Sequence, residues 1–288
     1  MITSVIVPTY NRPNELRLCL LSLAQQSLLP DEVLIADDGS GDETRQTIER
    51  FRNSADCTFV LKHIWQDDDG FRKPRILNET VRNAAGDYLL FIDGDCLAHR
   101  HWLRFHLQNA EPDAMLGGKR VDLGQGLSSK LLNNSQLVTG LSFRLLWDSV
   151  VSDTRKAEEA IVVSSPFLRS LIHRDRISND GIWGCNFSVS KNLFFTINGC
   201  DEDFQDGSIE DNDLGIRVLN SGGKLRSVRN LANVFHLWHK SSWGFTSEKY
   251  LHNKRILDKR IEMKESRCRK GINKVAGQIP VVTLGIHP

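Results

Sequence analysis

The sequence has no closely spaced cysteine pair, no long apolar run, no surplus of either charge, and no glycine-rich turn after its first apolar segment. Each absence removes a class of protein. The six cysteines (Cys19, Cys57, Cys96, Cys185, Cys200, Cys268) are scattered, which argues against a zinc site or a disulfide framework and for reduced thiols. Because 37 basic residues meet 36 acidic ones, the net charge of +1 gives no global field for nucleic acid, and no nucleic-acid partner is expected. No segment is apolar enough to span a membrane, and residues 2–7 read as a strand without a basic leader, so a cytoplasmic location is the expectation. Neither a dinucleotide-binding turn nor a P-loop follows that strand, so a nucleotide bound here needs another means of holding its phosphates.

What remains is an ordinary globular composition, 40% hydrophobic and 25% charged over 288 residues, enough for one large domain or one domain with an appendage. The first third alternates between strand and helix patterns. Apolar β-branched runs at 2–7, 33–36, 58–64 and 88–92 predict strands; Leu16, Leu20, Leu23 and Ala24, then residues 43–51 and 74–84, predict the intervening helices. The alternation predicts an α/β fold with a mostly parallel sheet covered on both faces. In such sheets ligands collect outside the carboxyl ends of the strands, which puts Pro8-Thr9-Tyr10, Asp37-Asp38 and Asp93-Gly94-Asp95 on one rim. The run 88–95 is the most pointed feature, a buried strand ending in two carboxylates. A hard divalent cation carrying phosphates would compensate that charge, and an acidic turn capping the next helix is the plainer alternative.

Val7-Pro8-Thr9-Tyr10-Asn11-Arg12, Ala36-Asp37-Asp38-Gly39-Ser40 and Asp93-Gly94-Asp95 together resemble the nucleotide-sugar-binding half of family 2 glycosyltransferases of GT-A fold. The resemblance implies that Pro8, Tyr10, Arg12 and Asp38 line the donor nucleotide and that Asp95, with Asp93, holds Mn2+ or Mg2+ on the diphosphate of a UDP-sugar. Asp95 is the expected direct ligand, and Asp93 faces the ribose or sugar. Residues 66–78 also resemble a segment common in bacterial members, which implies Arg72 or Lys73 near the diphosphate.

Residues 117–180 are less legible. Leu131, Leu137, Leu141, Leu145 and Leu146 suggest helix, while Gly124, Gly126 and Ser128-Ser129 suggest loops; a lid that selects the acceptor and a plain packing subdomain are both consistent with this. Beyond it, Trp183-Gly184-Cys185-Asn186 opens a predicted strand to Ser190, a helix is expected at 191–196, and the acidic run 201–213 opens another helix. The helix macrodipole accounts for some of those acids but does not require so many. The stretch from Trp183 to Asp213 resembles the galactosyltransferase-type C-terminal half, with Glu210-Asp211 as the acidic pair of inverting enzymes. By that resemblance Asp211 is the catalytic base and Glu210 an acceptor ligand. Gly207-Ser208 stand where relatives carry an aromatic residue and glycine, so Trp183 is a candidate to supply the aromatic platform. Strand alternation would put His236 and His239 on opposite faces; the resemblance implies a histidine metal ligand, His236 with His239 as alternative.

The tail, 247–270, is helical in pattern and rich in lysine and arginine, either a solvated face or a peripheral membrane or protein contact; 271–288 is expected to be loosely held. Three regions are expected: 1–116 for the nucleotide sugar, 117–245 for acceptor and catalysis, and 246–288 as a basic helical extension. The combined expectation is an inverting, metal-dependent glycosyltransferase using a UDP-sugar (galactose or N-acetylgalactosamine) on a saccharide or lipid-linked saccharide acceptor, in bacterial polysaccharide or glycoconjugate synthesis. A nucleotidyltransferase and an inactive nucleotide-sugar-binding protein are the alternatives.

Overall fold

Alternate side chains of the first strand enter opposite cores, which fixes it at the centre of a sheet covered on both sides. In β1 (Thr3–Thr9) Val5 and Val7 pack into one apolar cluster and Ile6 into the other, and all three are fully buried. The computed structural model describes residues 1–138, 153–177, 181–240 and 247–273. After β1 come α1 (Pro13–Ala24), β2 (Glu32–Asp37), α2 (Asp42–Arg52), β3 (Val60–Trp65), α3 (Lys73–Arg82) and β4 (Tyr88–Phe91). Prolines start α1 and α3 in their first turns, where a missing N–H costs nothing. Leu16, Leu20 and Leu23 of α1 fill one core, Ile76 and Val81 of α3 the other.

The chain continues through β5 (Cys96–Ala98), α4 (Trp102–Gln108), β6 (Ala114–Gly117), β7 (Arg120–Asp122), α5 (Gln125–Asn133), α6 (Pro166–Leu171), β8 (Phe187–Ser190), α7 (Lys191–Thr196), α8 (Glu210–Asn220), β9 (Lys224–Ser227), β10 (Val234–His236) and α9 (Glu248–Met263). Among the described residues the main sheet has seven strands in the order β3-β2-β1-β4-β8-β6-β9, and β8 alone runs against its neighbours. That reversal positions the site. Because β8 pairs Phe187 with Phe91, its first residues lie at the same rim as the carboxyl ends of β1, β2 and β4. The Phe91 and Phe187 rings stack 4.3 Å apart and hold this join.

A second sheet, β5-β10-β7, is small but decisive. Antiparallel pairing sets His236 opposite Cys96, and parallel pairing sets it beside Asp122. Three departures from expectation arise in the less regular parts. Residues 125–129 are not loop: Gly126 faces open space while Leu127 and Leu131 are buried, so α5 forms with an ordinary amphipathic face. The strand after Trp183 is shorter than expected, since 183–186 turn before β8 begins. Residues 271–273 are not loose: Ile272 is 2% exposed, its N–H donates to Asn198 O, and its carbonyl accepts from Arg82. Leu141, Leu145, Leu146 and residues 274–288 lie outside the described residues.

Candidate active site

Two adjoining cavities open at the rim. The first, about 430 Å³, is lined by Pro8, Tyr10, Arg12, Asp38, Phe71, Lys73, Asp93 and Asp95 among others. The second, about 670 Å³, is lined by Arg120, Asp122, Arg155, His236, Trp238 and His239 among others. They share Asp93, Asp95 and Gly207.

The floor of the first cavity follows from close backbone packing. Gly39 has φ +96°, and a Cβ there would lie 2.5 Å from the backbone of Asp68, so the loop after β2 can seat against residues 67–69 only as glycine. Tyr10, 49% exposed at the rim, donates its hydroxyl to Asp68 at 2.9 Å. Asp38 is held by the Gln66 amide and by the Arg72 N–H at 2.9 Å, and burial raises its carboxyl above the usual range despite those bonds. Asp37 is instead structural, bonded to buried His63 at 2.9 Å and to the Ser40 N–H at 2.8 Å. The sequence left Arg72 and Lys73 level, but the structure separates them. The Arg72 guanidinium turns to Asp67 O and to Asp69 at 3.3 Å, whereas Lys73 enters the cavity.

Lys73 is the bridge between the two halves of the chain. Its Nζ lies 3.2 Å from Asp93 Oδ1 and 3.6 Å from Glu210 Oε1, joining the end of β4 to the first turn of α8. Burial opposes its charge, but Asp93, Glu210 and Asp211 outweigh that and raise its pKa. In return Lys73 moderates the acids. Burial, aided by mutual repulsion, still pushes Glu210 up to about 7, and burial raises Asp211 as well. Asp211 is oriented through both oxygens: Oδ2 accepts from the Gly184 N–H at 2.6 Å and Oδ1 from the Asn212 N–H at 2.8 Å. The partner loop is itself fixed by Asn186, which is fully buried. It accepts from Trp102 Nε1 at 2.9 Å and donates to the carbonyls of Lys119 and Ala232 at 2.9 and 2.7 Å.

On the other side of Asp93, three ligand-type groups converge. His239 Nε2 lies 3.3 Å from Asp95 Oδ2, His236 Nε2 lies 3.6 Å from Asp95 Oδ1, and the two imidazole nitrogens face each other at 3.2 Å. The alternation expected of residues 236–239 does not hold, because β10 ends at His236 and the chain turns His239 back toward Asp95. Asp93 lies outside this cluster, paired with Lys73. Burial would raise the Asp95 carboxyl, but the two imidazoles hold it well below the ordinary range. One carboxylate and two imidazoles within 4.8 Å of one another form a donor set that fits Mn2+ better than an all-oxygen preference for Mg2+.

Trp183 is not an open platform. Lys119 Nζ and Lys156 Nζ lie 4.0 and 4.3 Å from its ring centroid, and Arg120 also approaches it. Phe71 comes closer to the role. Its ring would meet a Cβ on Gly207 at 3.6 Å, so an aromatic group from the first half occupies the space beside Gly207. Asp122, Arg155 and Trp238 had no signal in the sequence, since β7 is three residues long and its partner β10 lies far along the chain.

The model of glycosyl transferase family 2 matches residues 4–141, and that of the N-terminal domain of galactosyltransferase matches residues 172–240. Chondroitin synthase of Escherichia coli is 24% identical over 251 residues, covering 81% of this chain and 34% of its own. Validoxylamine A glucosyltransferase of Streptomyces hygroscopicus subsp. limoneus is 28% identical over 229 residues, covering 76% of this chain and 48% of its own. The chain therefore spans between a third and a half of the length of these two relatives. The structure of TarS from S. aureus in complex with UDP-GlcNAc superposes with a TM-score of 0.58 at 18% identity, covering 92% of this chain and 69% of that one. The shared architecture is the GT-A fold.

Proposed function

We propose that this chain, matched by the glycosyl transferase family 2 model over residues 4–141 and by a galactosyltransferase-type model over residues 172–240, transfers a sugar from a UDP-sugar to a saccharide acceptor, with inversion at the anomeric carbon. Galactose or N-acetylgalactosamine is the donor sugar in this reading, and a bacterial polysaccharide or glycoconjugate the product. The observation that carries it is the Lys73 bridge, which puts Glu210 and Asp211 within one cation of the Asp93-Gly94-Asp95 turn. The complex of the TarS structure with UDP-GlcNAc supports a UDP-sugar as donor.

In the proposed mechanism Tyr10 and Asp38 receive the base and ribose, and Arg12 and Lys73 face the diphosphate. Asp211, held by the N–H groups of Gly184 and Asn212, accepts the proton of the acceptor hydroxyl as that oxygen attacks the anomeric carbon. Glu210 orients the same acceptor. Asp95, His236 and His239 would hold Mn2+ or Mg2+, which supplies positive charge to the departing diphosphate. Lys73 adds a fixed cation at the junction, where negative charge develops.

The test is UDP release from a panel of UDP-sugars with and without Mn2+, with the anomeric configuration of the product read by NMR. Metal-dependent release and an inverted anomer are expected. Metal-independent turnover or a retained configuration would contradict the proposal.

A further inference from the structure

The far wall of the second cavity takes no part in the chemistry above, yet it is built. Trp238 is 44% exposed and lines the cavity, and its backbone N–H is fixed by Ser128 Oγ at 2.8 Å, so an indole is offered there from an anchored segment. Arg120 and Arg155 line the same cavity with Asp122 and Asp153. Arg120 Nε and Lys156 Nζ share Asp122 at 2.8 and 3.0 Å. Lys119 and Lys156 also lie against Trp183. Arg155 differs from these. Two backbone bonds with Asp122, 2.8 and 3.1 Å long, lock its main chain, while its guanidinium enters no ion pair or side-chain hydrogen bond among the described residues. The wall thus ends in a positioned, uncompensated fork donor at a cavity edge.

Taking the transferase reading as its premise, we propose that this cavity binds the acceptor and that the acceptor is an anionic glycan, with its carboxylate or phosphate on Arg155 and a sugar ring on Trp238. A neutral saccharide would leave the Arg155 guanidinium partly desolvated without a partner, whereas a carboxylate or phosphate takes the guanidinium fork in two parallel bonds. The geometry also gives a direction. The acidic side of the cavity, at Asp93 and Asp95, adjoins the donor, so the reacting hydroxyl enters there and the anionic group lies one or more sugar units away.

The experiment is equilibrium binding, with UDP and Mn2+ present, of three probes: a glucuronate-containing tetrasaccharide, its carboxyl-reduced neutral counterpart, and a glycerol-phosphate oligomer. Wild type, Arg155→Ala, Arg155→Lys and Trp238→Ala are compared. Wild type is expected to bind at least one anionic probe about tenfold or more tighter than the neutral one, as a charge-assisted bidentate contact requires. Arg155→Ala should erase that preference and Arg155→Lys keep part of it, while Trp238→Ala should weaken all the probes that bind. Preference for the glucuronate probe assigns a carboxylate and preference for the phosphate oligomer a phosphate; either supports the proposal. Equal binding of the three probes, binding of neither anionic probe, or an equal loss on charged and neutral probes in Arg155→Ala would overturn it. Failure of the wild type to bind UDP in the same titrations would contradict the transferase reading instead.

Discussion

Lys73 is the residue on which the two halves of the site depend, and its effect is readable as a pH dependence. In the proposed mechanism the base must be deprotonated to accept the acceptor proton, so transfer is expected to fall as pH drops through the ionisation of the Glu210-Asp211 pair, with Glu210 pushed up to about 7 by burial. Lys73 lowers both carboxyls. Replacing it removes a cation that favours the ionised forms, so Lys73→Met is expected to move the acidic limb of the transfer profile to higher pH and to lower the rate at the plateau. A profile of kcat/KM against pH checks this. A limb that stays in place, or moves to lower pH, would separate Lys73 from the pair. The residue types at this junction were legible, because a basic residue after an acidic loop and an acidic pair opening a helix both stood out. Their meeting was not, since it depends on the reversed strand β8 of the main sheet, which local pattern cannot reveal.

Helix α8, which carries Glu210 and Asp211 in its first turn, is held from behind by α9. Asp213, fully buried, accepts a hydrogen bond from Arg217 Nε on one oxygen at 2.7 Å and forms an ion pair through the other with Arg260 Nε, 2.6 Å away, and Arg260 also reaches buried Asp201. Part of the basic character of the tail is therefore turned inward, and Lys254 is paired on the surface with Asp258 at 2.6 Å. No helix among the described residues is long and apolar enough to cross a membrane. Breaking a buried ion pair strands a charge, so Arg260→Met should cost about 3–5 kcal/mol in a urea unfolding titration. Lys254→Ala, on the exposed pair, should leave the midpoint unchanged. Loss of stability in neither variant would show that α9 does not brace α8. The helical pattern of this tail was readable, but its docking was not, because an arginine in a basic run carries no mark of being the buried one. The same limit applies at β10, where assuming a regular strand sent His239 to the wrong face; three residues are too few for alternation to persist.

Across the whole molecule, regular periodicity made the first half readable from β1 to β4, and with it the rim where Tyr10, Asp38 and Asp93-Gly94-Asp95 gather. The second half was readable only in short pieces, because its strands are three or four residues long and take their partners from distant parts of the chain. The cavity wall at Arg155 and Trp238 arises wholly from that long-range assembly. In the proposed mechanism the Asp211 carboxylate, brought to this rim by β8 and α8, is the base for transfer. The most direct measurement is single-turnover transfer by Asp211→Asn beside calorimetric binding of the UDP-sugar. UDP-sugar affinity is predicted to stay close to wild type while transfer falls by about 10²–10⁴-fold. Transfer by Asp211→Asn at the wild-type rate would contradict it.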